Sequence, residues 1–146
     1  RHHVSGQLRV APEHTDPTIL KHMRKPDTGK LLAFKERFDA LGTDVKRKQY
    51  LSYYLIAAYP GCTMTDMQEL KKFASGQLGI LPEQVQVFTP TPSTYASVMY
   101  YTGKDPFTGE KLFVEKNPAA KQKQKEVITG HGELPEEHRR PKKDRK

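Results

Sequence analysis

The side chains best suited to bind a ligand lie in three loops, and each loop directly follows a short apolar segment. The junctions read LRVAPEH at residues 8–14, IAAYPGCT at 56–63 and VQVFTPTP at 85–92. Parallel α/β folds bind their ligands in the loops at the carboxyl ends of their strands. If the apolar segments are parallel strands, the three loops therefore open at one shared edge.

Glu13 and Thr89 are polar groups that the first and third loops would present to a ligand. The Glu13 carboxylate could accept hydrogen bonds from ribose hydroxyls or from a substrate amine. The structural alternative is an ordinary polar strand exit, with Glu13 close to the start of the next helix. In the third loop, Pro90 and Pro92 restrict the backbone while hydroxyls line it. The same pattern also suits a rigid connection without a ligand.

The middle loop carries Cys62, the one cysteine of the chain. Gly61 allows the backbone to approach a ligand closely, and a helix that begins just after Cys62 would lower the pKa of its thiol. We favour a small buried residue at a tight turn over a nucleophile, because no neighbouring residue would act as a base. His14 follows the adjacent strand, so a cysteine–histidine dyad stays open at this point.

Other candidate groups give weaker signals. A single cysteine excludes an intramolecular disulfide and any cluster that needs several thiolates from this chain. The sequence contains no glycine-rich phosphate loop, zinc finger or RNA-recognition signature. Three tyrosines could stack on nucleic-acid bases, although tyrosines at helical spacing more often pack at the edge of a core: Tyr95, Tyr100 and Tyr101. Five histidines lack metal-ligand spacing and are expected in solvent: His2, His3, His22, His131 and His138.

Helical segments separate the three apolar runs, which predicts an α/β fold with parallel strands. We expect strands at residues 7–11, 50–58 and 85–89. Asp16 before Pro17 is typical of a helix start, and Thr63 with Asp66 forms a capping-box variant. Further helices are predicted over 29–41, 93–101 and 117–128, the last without an apolar stripe. The expected helix ends lie at Pro26, at Gly42, at Gly76 and Gly79, and at Gly103.

The composition fits one domain with a wet, basic end. The chain has 146 residues and a formal net charge of +8, and residues 116–146 hold 10 basic and 5 acidic groups. This concentration weakens a nucleic-acid interpretation of the charge, yet a basic RNA-binding or interaction module without catalysis remains the alternative function. No apolar run is long enough to span a membrane. The single cysteine fits a reducing compartment, so a cytoplasmic location is expected.

Three segments together resemble the radical S-adenosylmethionine superfamily, in particular its YgiQ-type proteins. Residues 8–26 look like the fourth strand and its helix, 54–63 like the fifth strand and its turn, and 85–106 like the sixth strand with a C-terminal extension. The resemblance covers about residues 5–115. It implies a partial (β/α)6 barrel in which a [4Fe–4S] cluster, bound by a CxxxCxxC loop, reduces S-adenosylmethionine to a 5′-deoxyadenosyl radical.

The resemblance also implies roles for individual residues. Glu13 would lie near the cofactor's ribose, while Ile56, Pro60 and Gly61 would flank its adenine. The loop after Phe88, with Thr89 and Pro90, would approach the same ring through its backbone. Two positions depart from the pattern, since many relatives have Gly in place of Ala58 and Glu in place of Cys62.

No CxxxCxxC occurs in the chain. We therefore expect a C-terminal fragment of a radical S-adenosylmethionine iron–sulfur protein that forms one wall of the cofactor and substrate cavity and is inactive alone. Residues 1–104 would be the C-terminal half of the barrel, 105–128 a family-specific extension and 129–146 a flexible, disordered basic tail. The expected partners are the N-terminal part of the same protein, an unknown substrate, and nucleic acid through a weak contact of the tail. The cofactor and the cluster are expected only in the longer parent, not bound to this chain.

Overall fold

The sheet has three strands that all run in the same direction, in the order β1-β2-β3. The computed structural model describes residues 6–45, 49–80, 82 and 84–129. The strands are β1 (Gln7–Glu13), β2 (Tyr50–Ala57) and β3 (Gln84–Val87). The helices are α1 (Pro17–Met23), α2 (Thr28–Val45), α3 (Met64–Phe73), which runs on into one π-helical turn (Ala74–Leu78), α4 (Tyr95–Thr102) and α5 (Pro118–Thr129).

The strand register confirms the predicted parallel arrangement. Leu8 lies opposite Leu51 in the β1–β2 pair, and Leu55 lies opposite Val85 in the β2–β3 pair. The register shifts between Val10 and the end of β1, so the first strand bends just before its loop. Parallel strands separated by helices form a partial β/α fold.

The two faces of this sheet differ in burial. On one face, Tyr53, Leu55 and Val85 are at most 5% exposed and pack beneath the helices. On the opposite face, Tyr54 is half-buried and Gln86 is exposed, and the Tyr54 hydroxyl donates a hydrogen bond to Gln86 Oε1. Parallel sheets are normally covered on both faces. In the described part of the chain, the second face lacks such a cover.

Local sequence signals account for most helix boundaries. The Asp16 side chain accepts hydrogen bonds from the backbone N–H groups of Thr18 and Ile19 at 2.8 and 3.0 Å, as a cap before Pro17 requires. Thr63 and Asp66 form the predicted capping box at the start of α3. The predicted end of α4 at Gly103 is also confirmed, because this residue has φ 64° and caps the helix.

Several predicted boundaries are wrong, among them the end of β1, which extends to Glu13 rather than to residue 11. Helix α2 continues through Gly42 to Val45, since a glycine inside a helix costs only about 1 kcal/mol and each further turn adds backbone hydrogen bonds. The predicted end at Gly76 is wrong because this residue lies inside the π-helical turn after α3, whereas the predicted end at Gly79, which has φ 66°, is confirmed. Strand β3 covers residues 84–87 rather than 85–89, because the chain leaves the sheet at Phe88 before Pro90.

Helix α5 packs on the structure through a stripe that is only partly apolar. Its buried residues, Lys121, Gln124 and Ile128, follow helical spacing and face α3 and β3. Lys121 Nζ donates to the Tyr100 hydroxyl at 3.0 Å and lies 4.4 Å from that ring's centroid. The sequence predicted a helix without an apolar stripe at this place. Lys121 and Gln124 can be buried in it because each polar side chain has a hydrogen-bond partner on another element.

No helix in the described part of the chain is long and apolar enough to cross a membrane. The basic segment predicted to be disordered lies, apart from Thr129, outside the described residues, as do four of the five histidines expected in solvent: His2, His3, His131 and His138.

Replacing Gln124 by leucine should lower the free energy of unfolding by about 2–3 kcal/mol. The change leaves the buried Ala58 N–H, which donates to Gln124 Oε1 at 3.0 Å, without an acceptor. Gln122→Leu, on the exposed side of the same helix, is the matched control and should change stability by less than about 0.5 kcal/mol. Urea denaturation of both variants measures the difference, and equal effects would contradict a structural role for the buried amide.

Candidate functional site

The parallel sheet brings the three predicted loops to one edge. Glu13, the last residue of β1, lies opposite Leu55, two residues before the end of β2. The Phe88 N–H donates to the Ala57 carbonyl at 2.8 Å, which holds the exit of β3 beside the exit of β2. The candidate site is therefore one continuous rim, which we call the strand-exit rim and define by residues 13–14, 57–62 and 88–94.

Glu13 is held at this rim by an ion pair and by an unusual backbone conformation. Its Oε1 lies 3.0 Å from Lys25 Nζ, and the two side chains are 23% and 32% exposed. Lys25 Nζ also donates to the Ala11 carbonyl at 3.2 Å. Glu13 has φ 68°, a left-handed value that is strained for a residue other than glycine. The carboxylate is thus fixed in place while part of it stays accessible.

The same strain recurs at the other two strand exits. Ala58 follows β2 with φ 57°, and Ser93 lies in the loop after β3 with φ 63°. Each left-handed residue costs of order 1–2 kcal/mol, and such costs concentrate at binding and catalytic sites. The recurrence at all three exits agrees with a rim whose loop shapes are set by a ligand-binding role.

The remaining predicted site residues divide into two groups. Ile56 is half-buried, Thr89 is exposed and Pro90 is half-buried, so these three present atoms at or beside the rim. Pro60 is completely buried, and the Gly61 N–H donates to the Phe113 carbonyl at 2.7 Å. The structure thus uses the proline and the glycine of the middle loop for packing inside the protein.

A buried chain of hydrogen bonds lies beneath the rim. The Asp16 N–H donates to His14 Nδ1 at 3.0 Å, so Nε2 carries the ring proton and points to Cys62 Sγ at 3.5 Å. Gln124 Oε1 lies 3.7 Å from that sulfur, and Gln124 Nε2 donates to the Cys62 carbonyl at 3.4 Å. We call this set, with Ala58, the exit network; it joins the ends of β1 and β2 to α5.

Burial keeps both ring and thiol of this network neutral. It lowers the pKa of His14 to about 4, despite the opposing charges of Asp16 and Asp66. Burial, followed by the charge of Asp66, raises the pKa of Cys62 to about 12. The dyad geometry left open by the sequence is therefore present, but without the thiolate that a nucleophile needs. The favoured interpretation of Cys62, a small buried residue at a tight turn, is confirmed.

His22 corrects one prediction, because its side chain is not in solvent. It is 7% exposed, and its Nδ1 lies 3.4 Å from Asp105 Oδ2. The carboxylate comes from the turn after α4, which sequence spacing could not connect to α1. A Cβ added at Gly61 would lie 3.3 Å from His22 Cδ2, so the glycine also makes room for this ring.

The tyrosines do not form one open stacking surface. Tyr95 packs edge-on against Phe107 at 4.7 Å between centroids, and Tyr100 lies beneath Lys121. Tyr101 meets the Tyr100 ring nearly at right angles. The described residues also contain no group of three or more histidine, cysteine, aspartate or glutamate side chains placed to hold a metal ion.

Comparison with known proteins finds sequences similar to most of this chain. Residues 83–132, which include β3, α4 and α5, match the family model "Domain of unknown function (DUF3362)". A UPF0313 protein of Fusobacterium nucleatum is 55% identical over 127 residues, which is 87% of this chain and 22% of that protein. The chain is similar to UPF0313 proteins.

Two other UPF0313 proteins match over nearly the same region. The one of Thermotoga maritima is 43% identical over 126 residues, covering 86% of this chain and 22% of that protein. The one of Geobacter sulfurreducens is 44% identical over 138 residues, covering 94% of this chain and 22% of that protein. The chain thus spans about a fifth of the length of the UPF0313 relatives it matches.

Sequence reasoning missed Lys25, Gln124 and Asp105. Lys25, just after α1, and Gln124, on α5, contact residues of the rim, whereas Asp105, in the turn after α4, contacts His22 beside it. Their sequence separations from their partners are 12, 66 and 83 residues, and no local pattern connects positions so far apart. One local pattern did point to Gln124: it lies four residues before Ile128 in a lysine-rich helix, so both side chains share the helix face that packs on the protein.

The neutral His14 should make the stability of the protein depend on pH between about 4 and 6.5. Its pKa is about 4 in the folded state against about 6.5 in the unfolded chain. The unfolded chain therefore takes up the proton first, and the free energy of unfolding decreases as the pH falls from about 6.5 towards 4. We expect a loss of about 2 kcal/mol between pH 7 and pH 5, measured by urea denaturation. His14→Asn should be less stable at pH 7 but should lack this slope. Parallel pH profiles for the two proteins would contradict the assignment.

Gly61→Ala should destabilise the protein by about 1–2 kcal/mol, because φ is 94° and the new methyl group would crowd His22. Gly76→Ala is the matched control, since a Cβ there meets nothing within 4 Å and φ is ordinary. The control should leave stability unchanged or raise it by up to about 1 kcal/mol. Thermal unfolding compares the two, and a control as unstable as Gly61→Ala would refute the argument.

Proposed function

We propose that this chain forms one wall of the S-adenosylmethionine and substrate cavity of a radical S-adenosylmethionine iron–sulfur protein of the YgiQ type. The observation that carries the proposal is the common direction of the three strands, which gathers three strained loops at one rim. In parallel α/β folds this edge is the ligand-binding edge. The UPF0313 relatives support it further, because they are about five times longer than the region they share with this chain.

The uncovered face of the sheet supports the same proposal. Arg9, Tyr54 and Gln86 lie on this face, where they are half-buried or exposed. Strands β1 and β3 each pair only with β2 among the described strands. Added strands from the N-terminal part of a longer protein would continue the sheet past these edges and turn the uncovered face into the interior of a partial barrel.

The chain's own residues do not fit the iron–sulfur cluster. A [4Fe–4S] cluster needs thiolate ligands, whereas Cys62 is buried, its pKa is raised to about 12, and no other cysteine is present. In this proposal the cluster ligands therefore come from elsewhere in the longer protein, and this chain does not contact the cluster through a thiolate.

The rim does fit the nucleoside end of the cofactor. The Glu13 carboxylate accepts hydrogen bonds, as ribose hydroxyls require, and Lys25 and the strained backbone hold it in position. Ile56 offers an apolar surface for adenine, and the backbone at Thr89 and Pro90 lies at the neighbouring strand exit. When bound, S-adenosylmethionine supplies the adenosyl group that these enzymes use for radical chemistry.

In this proposal Pro60 and Gly61 act indirectly. Pro60 is buried beneath the rim, and Gly61 is tied to the Phe113 carbonyl, so both shape the turn that follows Ile56. Their function would be to fix the apolar surface against which a flat ring stacks. The reducing, cytoplasmic location expected from the single free cysteine also suits an iron–sulfur protein.

The test uses the longer protein that contains this chain and a CxxxCxxC loop, reconstituted anaerobically with iron and sulfide. We expect it to release 5′-deoxyadenosine from S-adenosylmethionine when reduced. Glu13→Gln should weaken cofactor binding about tenfold, because a charged acceptor is replaced by a neutral one. Glu36→Gln, an exposed carboxylate on α2, is the matched control and should bind normally.

One result would overturn the proposal, and another would remove Glu13 from it. A fully reconstituted sample that forms no 5′-deoxyadenosine would exclude the enzyme class. Normal product formation with equal cofactor affinity in both glutamine variants would instead keep the class and remove Glu13 from the cofactor site.

A further inference from the structure

A cavity lies between the end of α1 and the turn that follows α4. Its volume is about 140 Å³, enough for a phosphate or carboxylate group with a few attached atoms. Lys21, His22 and Arg24 line it from α1 and its cap, and Asp105 and Phe107 line it from the turn. None of these residues is used by the exit network or by the proposed nucleoside contacts.

The inner wall of this cavity is rigid. Asp105 Oδ1 accepts from the Phe107 N–H at 2.8 Å, and Asp105 Oδ2 faces His22 Nδ1 at 3.4 Å. One carboxylate oxygen therefore accepts a backbone hydrogen bond, and the other lies beside the histidine ring. The histidine ring is fixed in turn between this carboxylate and the backbone of Gly61.

The outer wall is formed by two cations without a carboxylate partner. Among the described residues, neither Lys21 nor Arg24 has an ion pair or a side-chain hydrogen bond, although the Arg24 charge does act on Asp105. The Arg24 guanidinium carbon lies 4.2 Å from the centroid of the Phe107 ring. Stacking on an aromatic face holds the planar group while its N–H donors remain free at the edge.

The backbone of Arg24 gives an independent reason to assign it a role. It caps α1 in the left-handed conformation, with φ 56° and ψ 36°, a position at which glycine is the least strained residue. A basic residue near a helix end also complements the helix dipole. That effect operates from any position in the last turn, where Lys21 and His22 already stand, and does not require arginine at the strained cap.

We propose that this cavity binds a small oxyanion, namely a phosphate or carboxylate group of a ligand, through Arg24 and Lys21. Arg24 supplies two adjacent N–H donors to the oxyanion, and Lys21 supplies a second positive charge. His22 and Asp105 lie side by side and form the inner wall. The site belongs to this chain alone, so it does not depend on the cofactor or the cluster of the proposed function.

The decisive variant is Arg24→Gly, because it separates binding from folding. Glycine removes the guanidinium and also relieves the left-handed strain, so the variant should fold with a melting temperature no lower than that of the parent. Lys123→Gln, an exposed lysine on α5, is the control with the same loss of charge.

The measurement is a titration of the isotopically labelled chain with inorganic phosphate at constant ionic strength, followed through the amide resonances of Phe107 and Thr108. We expect a saturable shift in the parent and in Lys123→Gln, and an affinity at least about tenfold weaker in Arg24→Gly. A second titration with acetate identifies the preferred group, since tighter binding of acetate would assign the site to carboxylates.

A non-saturable shift with both anions, or equal affinities in the parent and Arg24→Gly, would overturn the proposal.

Discussion

The structure depends on a short line of buried hydrogen bonds at the ends of its strands. His14 leaves β1, Cys62 follows β2, and Gln124 comes from α5, yet their polar groups meet in one fully buried place. Gln124 accepts a hydrogen bond from the Ala58 N–H and donates one to the Cys62 carbonyl. If any member is removed, a buried polar group is left without a partner, which is costly in an interior of low dielectric constant. The positions of the rim loops are therefore determined by the buried exit network beneath them.

The sheet itself is stable on one side and incomplete on the other. The helices bury the face of β2 that carries Tyr53, Leu55 and Ala57. On the opposite face, Tyr54 and Gln86 are joined by a hydrogen bond between neighbouring strands. An uncovered parallel sheet is uncommon because its strands are usually buried on both faces. The UPF0313 relatives match 86–87% of this chain but extend over about five times its length, which agrees with a half-covered sheet that works inside a larger protein.

The sequence was sufficient for the order and direction of the elements because those follow from local patterns. The cap at Asp16, the capping box at Thr63 and the glycine after α4 were readable from three or four neighbouring residues. The end of α2 was not readable, because a glycine within a helix and a glycine after one look alike in sequence.

The candidate site was predictable only in outline. Glu13, Ile56 and Thr89 could be placed at one edge because parallel strands end together. The supporting contacts join residues that are far apart in sequence, such as His22 with Asp105, and follow from packing rather than from periodicity. For the same reason, the burial of Pro60 and the use of Gly61 by Phe113 could not be foreseen.

The docking of α5 has a consequence for how this region can be exchanged between proteins. The segment that matches the DUF3362 model begins at β3 but carries, in α5, the glutamine that completes the turn after β2. In a hybrid that joins this segment to the preceding strands of a different relative, the residue-58 N–H and the Gln124 side chain that accepts its hydrogen bond would come from different parents. The donor at position 58 and the acceptor at position 62 are backbone groups, which every residue supplies except proline at 58. Such hybrids should therefore succeed where position 124 keeps a glutamine, and this side chain, rather than the sequence boundary at residue 83, decides which segments can be exchanged.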